Sequence, residues 1–255
     1  MQARHIVPLP SSRFRLILAA ALLAALTAVP AAAGPLDGAR AAWSEGRFLE
    51  AADMAEETGG PEGLAFAAES LVLQASYLAA EQDRPALFER ALALAMRAVE
   101  AAPDEAYAHI AAARVMGRHG QTLSTSEASD RGYAGKIRDS LERALELKPA
   151  SVKAMTGLAI WHARVVEVAG SFLARITYGA REKSVHELFG RVFEAAPGEK
   201  VPLFEYAPAL RMLDGDMDRA RDLLRQAMAL PAKNAYQRIV DERAAKLLAE
   251  IEAGG

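Results

Sequence analysis

Apolar residues recur at spacings of three and four along most of the chain, which is the pattern of amphipathic helices. One apolar stripe contains Leu64, Leu71, Ala75 and Leu78, within a helix predicted over residues 62–81. The sequence has no run that alternates apolar and polar residues as a half-buried strand does. Alanine is abundant and aromatic residues make up only 6% of the chain. The pattern therefore predicts an all-α protein.

The same periodicity divides the chain into a series of helices separated by glycine, proline or polar residues. We expect Asp83 to cap the fourth of these helices and Pro85 to lie in its first turn. The last predicted helix has an apolar stripe opposite a charged face that includes Arg238, Asp241 and Lys246. That arrangement is typical of a helix that caps a repeat array. The predicted helices cover residues 37–45, 47–58, 62–81, 84–102, 104–118, 134–147, 150–169, 181–195, 201–213, 216–229 and 235–252.

A proline follows several of these helices at a fixed distance from an alanine. The complete copies run from Ala98 to Pro103 and from Ala144 to Pro149, and weaker copies end at Pro197 and Pro231. Counted from Pro61, the prolines that end these copies are 34 to 48 residues apart, which is typical of stacked helical hairpins. Alanine lets two helices approach closely, and proline prevents a helix from continuing. The repeat therefore indicates an array of hairpins.

The repeat resembles the tetratricopeptide repeat (TPR), in which a glycine opens the second helix and two alanines seven residues apart face its partner. The matching residues are Gly46, Phe48 and Ala51 in the first copy, Ala91, Ala98 and Pro103 in the second, and Gly215, Ala220 and Ala227 in the last. The third and fourth copies depart from the pattern, with Ile137 and Val185 at the first alanine position. The resemblance covers residues 36–231. It implies a right-handed α-solenoid of about five hairpins with a C-terminal capping helix, a fold that binds partners.

The chain from Trp161 onward has a second resemblance. A tryptophan on a first helix is followed by an enlarged hairpin, a Leu-Pro ending and a final helix with Ala244, Leu247 and Leu248. This order is similar to the helical-repeat family of the T component of bacterial tripartite (TRAP) transporters, and to the related microtubule-dynamics regulators. The resemblance implies a periplasmic protein that contacts a solute-binding partner. The chain has no cysteine, so it lacks the lipid-bearing residue expected of the T component.

The first 33 residues form a separate segment. Arg4, Arg13 and Arg15 precede an apolar run over residues 16–29, and small residues follow as far as Ala33. This is the pattern of a secretory signal peptide that is cut after Ala33, which leaves residues 34–255 as the helical-repeat domain. The alternative is an uncleaved anchor, but the run is shorter than the roughly 20 residues of a span and ends at a proline. We therefore expect a periplasmic or secreted protein with no stable membrane span after cleavage.

Charge and composition narrow the function further. The full chain has a net charge of −3, and loss of the three leader arginines makes it −6, which argues against a nucleic-acid partner. The sequence contains no glycine-rich phosphate loop, nucleophile elbow or metal-binding pattern of cysteine and histidine. We therefore predict a protein that is not an enzyme, with no catalytic residues, no cofactor and no metal.

The remaining candidate site is the groove lined by the first helix of each hairpin. The predicted partner-binding residues are Tyr107, Arg114 and Arg118 on the third hairpin and Lys153, Trp161 and Arg164 on the fourth. Within each helix most of these residues lie at helical spacing on one face. Their cations favour an anionic protein or peptide partner, although an ordinary solvated helix face has similar charges.

Two insertions flank this region. Residues 119–133 form a polar loop, which is either a tolerated surface insertion or a lid over the groove. Thr125 or Ser126 is expected to cap a short helical turn there. Residues 168–182 enlarge the fourth hairpin.

These features predict an exported, non-enzymatic binding or scaffold module of the bacterial cell envelope. The alternative is a small-molecule-binding accessory protein of a periplasmic transporter. That alternative requires an enclosed pocket of at least about 300 Å³.

Cleavage after Ala33 is directly testable. Intact-mass and N-terminal peptide analysis of the exported protein should give a chain that begins at Gly34, because Ala31 and Ala33 are the small residues that signal peptidase requires. A major species that retains Met1 would contradict the prediction.

Overall fold

The computed structural model describes residues 34–254, and the predicted signal peptide, residues 1–33, lies outside this range. Within it no helix has both the length and the apolarity needed to cross a bilayer. The α-helices of the described range are α1 (Asp37–Glu45), α2 (Phe48–Thr58), α3 (Gly60–Leu73), α4 (Arg84–Ala101), α5 (Ala106–Gly120), α6 (Thr125–Asp130), α7 (Tyr133–Leu147), α8 (Val152–Leu173), α9 (Glu182–Ala195), α10 (Lys200–Met212), α11 (Met217–Ala229) and α12 (Ala235–Ala253).

Consecutive helices pair into five hairpins. These are α1 with α2, α3 with α4, α5 with α7, α8 with α9 and α10 with α11, while α6 lies in the connection of the third hairpin. The first helices α3, α5, α8 and α10 contact one another in succession and form an inner layer, outside which the second helices pack. Helix α12 follows the last hairpin. The structure confirms the predicted all-α solenoid of about five hairpins with a capping helix.

The alanines of the repeat lie at helix contacts. Ala98 and Ala144 are fully buried, as is Ala227 in the last hairpin. In the fourth hairpin Val185 and Val192 occupy the corresponding positions and are also fully buried. The repeat position is therefore a core position whether alanine or valine occupies it.

Several predicted boundaries require correction. The helix predicted over residues 62–81 ends earlier, because α3 passes into one π-helical turn, Gln74–Leu78. Asp83 precedes α4 as predicted, but its side chain accepts no capping hydrogen bond. The helix predicted to end near residue 169 continues to Leu173 across a kink at Gly170. Gly170 has φ 74° and ψ 152°, a conformation that only glycine adopts easily.

The 119–133 insertion is held against the outer helices. Helix α6 is capped by Ser124, in place of the predicted Thr125 or Ser126, in a reciprocal arrangement with Glu127. His119 is buried, hydrogen-bonds to the hydroxyl of Tyr133 at 3.0 Å and stacks on Phe88 of α4. Because α4 and α7 are second helices, these contacts favour a surface insertion over a lid on the inner face.

Helix α12 packs along the last hairpin and reaches back to the first. It contacts α10, α11 and also α1. Its Asp241 pairs with the ammonium of Lys200 on α10, which is only 2% exposed. Asp241 belongs to the predicted charged face of α12 and its side chain is 33% exposed, but the sequence gives no sign of the buried lysine that it pairs with. Part of the charged face of α12 therefore packs against α10, where Asp241 neutralises a buried cation.

The N-terminal turn of α12 contacts residues of the first two hairpins. A Cβ at Gly46, which ends α1 with φ 97°, would lie 3.0 Å from the Cβ of Ala235. The Trp43 and Tyr236 rings are 6.2 Å apart, and Tyr77 at the end of α3 lies 6.4 Å from Tyr236. The start of α12 therefore contacts the inner side of the first two hairpins.

Ala98→Leu and Ala144→Leu should each destabilise the protein by about 1–3 kcal/mol, because a larger side chain overpacks a closed helix contact. Thermal or urea unfolding measures the effect. Ala93→Leu is the matched control, since Ala93 lies exposed on the same helix as Ala98 and should change little. Equal stability of all three variants would show that the repeat register is wrong.

Asp241→Ala should destabilise the protein by about 3 kcal/mol, because it leaves the Lys200 ammonium buried without its counter-ion. Replacement of both partners, Lys200→Met with Asp241→Leu, should recover most of that loss. Glu250→Ala is the control: Glu250 pairs with Arg211 between the same two helices at 2.7 Å, but both side chains are about half exposed. Its loss should cost less than about 1 kcal/mol. An equal loss in the free energy of unfolding by urea for Asp241→Ala and Glu250→Ala would contradict this account.

Candidate functional site

A cluster of charged and aromatic side chains lies where the inner layer meets α12. We call it the inner-face cluster. It brings together three of the six predicted site residues, and its other members come from α3, the turn after α3, α10 and α12. The inner-face cluster consists of Glu69, Tyr77, Arg114, Arg118, Lys153, Glu205, Tyr236 and Arg243.

Arg118 is held by α10 and by the end of α3. Its guanidinium donates to a carboxylate oxygen of Glu205 at 3.3 Å and lies 5.9 Å from the centre of the Tyr77 ring. Glu205 is buried, so it needs the cation to offset the cost of removing its charge from water. This pair links the third hairpin to the fifth.

Arg114 lies one turn earlier on α5 and has a different environment. Its guanidinium lies 5.2 Å from the centre of the Tyr236 ring, a distance at which a cation is attracted to the ring face. Burial raises the pKa of Tyr236 to about 12 in spite of the nearby Arg114, so the ring is neutral at physiological pH. Among residues 34–254 no carboxylate lies within ion-pair distance of Arg114. Its charge is therefore only partly compensated.

Lys153 extends the cluster across the inner layer to α3. Its ammonium lies 3.2 Å from a carboxylate oxygen of Glu69, so α8 is bonded to α3 across α5. Burial alone would raise the pKa of the Glu69 carboxyl, but the charges of Lys153 and Arg114 hold it below its usual value. Glu69 is therefore ionised at neutral pH. The Lys153 side chain is 65% exposed and marks the accessible edge of the cluster.

Arg243 adds a cation from α12. Its guanidinium lies 5.2 Å from the centre of the Tyr77 ring and 5.9 Å from that of Phe204. Within the described part of the chain it has no ion-pair partner. The four cations of the cluster therefore face only two carboxylates, Glu69 and Glu205.

The other three predicted residues lie apart from this cluster. Trp161 is buried, and its indole N–H donates to the carbonyl oxygen of Ala134 at 2.8 Å, so it packs between α7 and α8. Arg164 pairs with Glu167 on its own helix at 2.6 Å. Tyr107 is half-buried in the first turn of α5, where burial and the nearby Glu105 raise its pKa.

The excess of positive charge suits the binding of an anionic group. Guanidinium groups donate paired hydrogen bonds to carboxylates and phosphates, and they do so more strongly where water is partly excluded. The Tyr236 ring lies beside the guanidinium of Arg114 and the Tyr77 ring beside that of Arg118.

Sequence reasoning missed five members of the cluster. Glu69 and Tyr77 lie near the end of a helix in which the apolar stripe is the dominant pattern, and Glu205 lies on a helix whose sequence indicates only packing. Tyr236 and Arg243 belong to α12, whose sequence is that of a simple cap. A usable signal existed for Tyr236 alone, since an aromatic residue shortly after the capping Asn234 has no role in a solvent-facing first turn.

An open depression of about 400 Å³ lies elsewhere, between α9, α10 and α11. It is lined by residues such as Phe193, Leu203 and Arg219. The depression includes no predicted site residue, so it gives no specific support to the small-molecule alternative.

Comparison with solved structures supports the fold. The structure is similar to a thermophilic TPR protein of Thermus thermophilus, with a TM-score of 0.61 over 84% of this chain and 97% of the other. The two sequences are only 16% identical, so the similarity concerns the fold alone. A comparison with curated protein sequences gives no match.

Comparison with family sequence models extends the resemblance of the C-terminal half. The model described as "Regulator of microtubule dynamics protein 1-3" matches residues 49–252, so the similarity begins in the first hairpin and not at Trp161. The TPR-like repeats and this match cover nearly the same residues. The chain therefore belongs to the regulator of microtubule dynamics 1-3 family of helical-repeat proteins.

Proposed function

We propose that this protein is an exported, non-enzymatic scaffold that binds a protein partner in the bacterial cell envelope through its inner face. Solenoids of this kind present an extended surface on which a partner lies, and they contribute no chemistry of their own. The observation that supports the proposal best is the partly compensated guanidinium of Arg114, which faces Tyr236 and has no carboxylate partner within residues 34–254.

The partner is proposed to present acidic groups. Arg114 is half-buried and forms no ion pair within residues 34–254, so an incoming carboxylate could form a charge-assisted hydrogen bond with it. Lys153 gives the partner access from the exposed edge of the inner-face cluster, while α12 covers the opposite edge. Tyr107 and Arg164 are proposed as peripheral contacts. Trp161 is left out of the site because its indole is already packed and hydrogen-bonded.

The proposed envelope location rests on the sequence of the first 33 residues and not on the fold. The family name refers to microtubules, but a basic start, a short apolar run and small residues before Gly34 are the pattern of an export leader. We therefore propose a periplasmic partner for this chain. A nucleic acid is not proposed, because the chain is acidic overall.

The experiment uses the protein as bait in an extract of the envelope, and the captured partner is purified and titrated by calorimetry. Arg114→Gln with Lys153→Gln should weaken binding about tenfold for each charge removed. Binding of the parent should also weaken with added salt, because exposed charges are screened within about 8–10 Å at physiological ionic strength.

The matched control removes two charges from the outer helices, Arg97→Gln with Arg143→Gln. Both side chains are exposed and already paired with carboxylates, so affinity should not change. An inner-face variant that keeps its helix content and its affinity would remove the inner face from the site. A parent protein that retains no partner above an unrelated bait would overturn the scaffold function itself.

A further inference from the structure

The enlarged fourth hairpin ends in an exposed apolar surface. The four most exposed large apolar side chains of residues 34–254 are Val168 (60% exposed), Phe172 (66%), Leu173 (53%) and Ile176 (59%). We call them the apolar tip. Large apolar side chains that are exposed this close together in the chain are candidates for a contact with a protein or a membrane.

The apolar tip is held in a defined conformation. After the kink at Gly170 the chain resumes a helical course through the π turn Ala174–Tyr178. Phe172, Leu173 and Ile176 lie on one side of this segment, at spacings of three and four. Ala174 is fully buried on the other side. The carbonyl oxygen of Tyr178 accepts a hydrogen bond from Arg138 of α7 at 3.1 Å, which fixes the base of the segment to the body.

The charge around the apolar tip is opposite to that of the chain as a whole. From residue 168 to residue 181 the only charged side chains are Arg175 and Arg181. Of the acidic residues that border this segment, Glu167 is paired with Arg164 and Glu182 begins α9. Both arginines of the segment are exposed, and neither forms an ion pair within the described range. The chain as a whole is acidic, with a net charge of −3. An anionic surface would therefore attract the apolar tip and repel much of the remainder.

We infer that the apolar tip is a membrane-surface anchor that inserts its side chains at the interface of an anionic bilayer. Large apolar side chains flanked by arginines are typical of segments that lie in the headgroup region, with the apolar face in the acyl boundary. Each arginine near an anionic leaflet contributes about 1 kcal/mol of attraction. A second copy of the chain fits less well, because pairing two tips would bring their arginines together.

The test is sedimentation of the full exported chain with vesicles, and it does not depend on the proposed scaffold function. The protein should bind vesicles that contain phosphatidylglycerol and bind those of phosphatidylcholine alone much less. Phe172→Ser with Ile176→Ser should weaken binding at least about tenfold, since each buried side chain of this size contributes about one tenfold step or more. Arg175→Glu with Arg181→Glu should abolish the preference for the anionic lipid.

The control is Leu78→Ser with Met96→Ser, which removes two apolar side chains that are about half exposed elsewhere on the surface. This variant should bind vesicles as the parent does, and circular dichroism confirms that all variants fold. Equal binding by the tip variant and the control would overturn the inference. Equal binding of the parent to both lipids would also overturn it. So would a parent that does not bind vesicles but forms dimers that the tip variant does not form.

Discussion

The contact between α12 and the inner face is the interaction on which the rest of the structure depends. Hairpins of a solenoid contact only their neighbours, so nothing in the repeat itself joins the first hairpin to the last. Here Tyr236 at the start of α12 lies against Trp43 of α1, and Asp241 pairs with buried Lys200 of α10. These contacts join the first and last hairpins, so we expect the two to depend on each other for stability.

The same contact creates the proposed binding surface. Tyr236 and Arg243 come from α12, yet they surround arginines that belong to α5 and a tyrosine that follows α3. Without α12, Arg114 would lie on an open helix face with its charge in water, where an anion binds weakly. Partial burial raises both the cost of the unpaired charge and the strength of any bond that compensates it. The helix that caps the array is therefore also part of the proposed binding surface.

The sequence predicts local features of this protein well and long-range ones poorly. The hairpins are predictable from the pairs Ala98 with Pro103 and Ala144 with Pro149. Close helix packing and helix termination depend on residues that are near one another in the chain. The contact between Arg114 and Tyr236 depends on how several successive hairpins are rotated relative to one another, and no local sequence pattern specifies that rotation. The partner of Asp241 is unpredictable for the same reason: a helical wheel gives the polar face of α12 but not the buried lysine opposite it. Of the candidate residues, Arg114, Arg118 and Lys153 converge, while Trp161 is a packing residue that only its three-dimensional surroundings could distinguish.

One member of the inner-face cluster, Lys153, lies on the same hairpin as the apolar tip, and the distance between the two bears on whether the two proposed sites could act together. Lys153 is near the start of α8 and the kink at Gly170 is near its end. At 1.5 Å per residue the two are about 25 Å apart along the helix. That distance exceeds the screening length of about 8–10 Å at physiological ionic strength, so an anionic lipid at Arg175 would not compete with an acidic partner at Lys153. A protein attached through the apolar tip would therefore still offer its inner face to a partner above the bilayer.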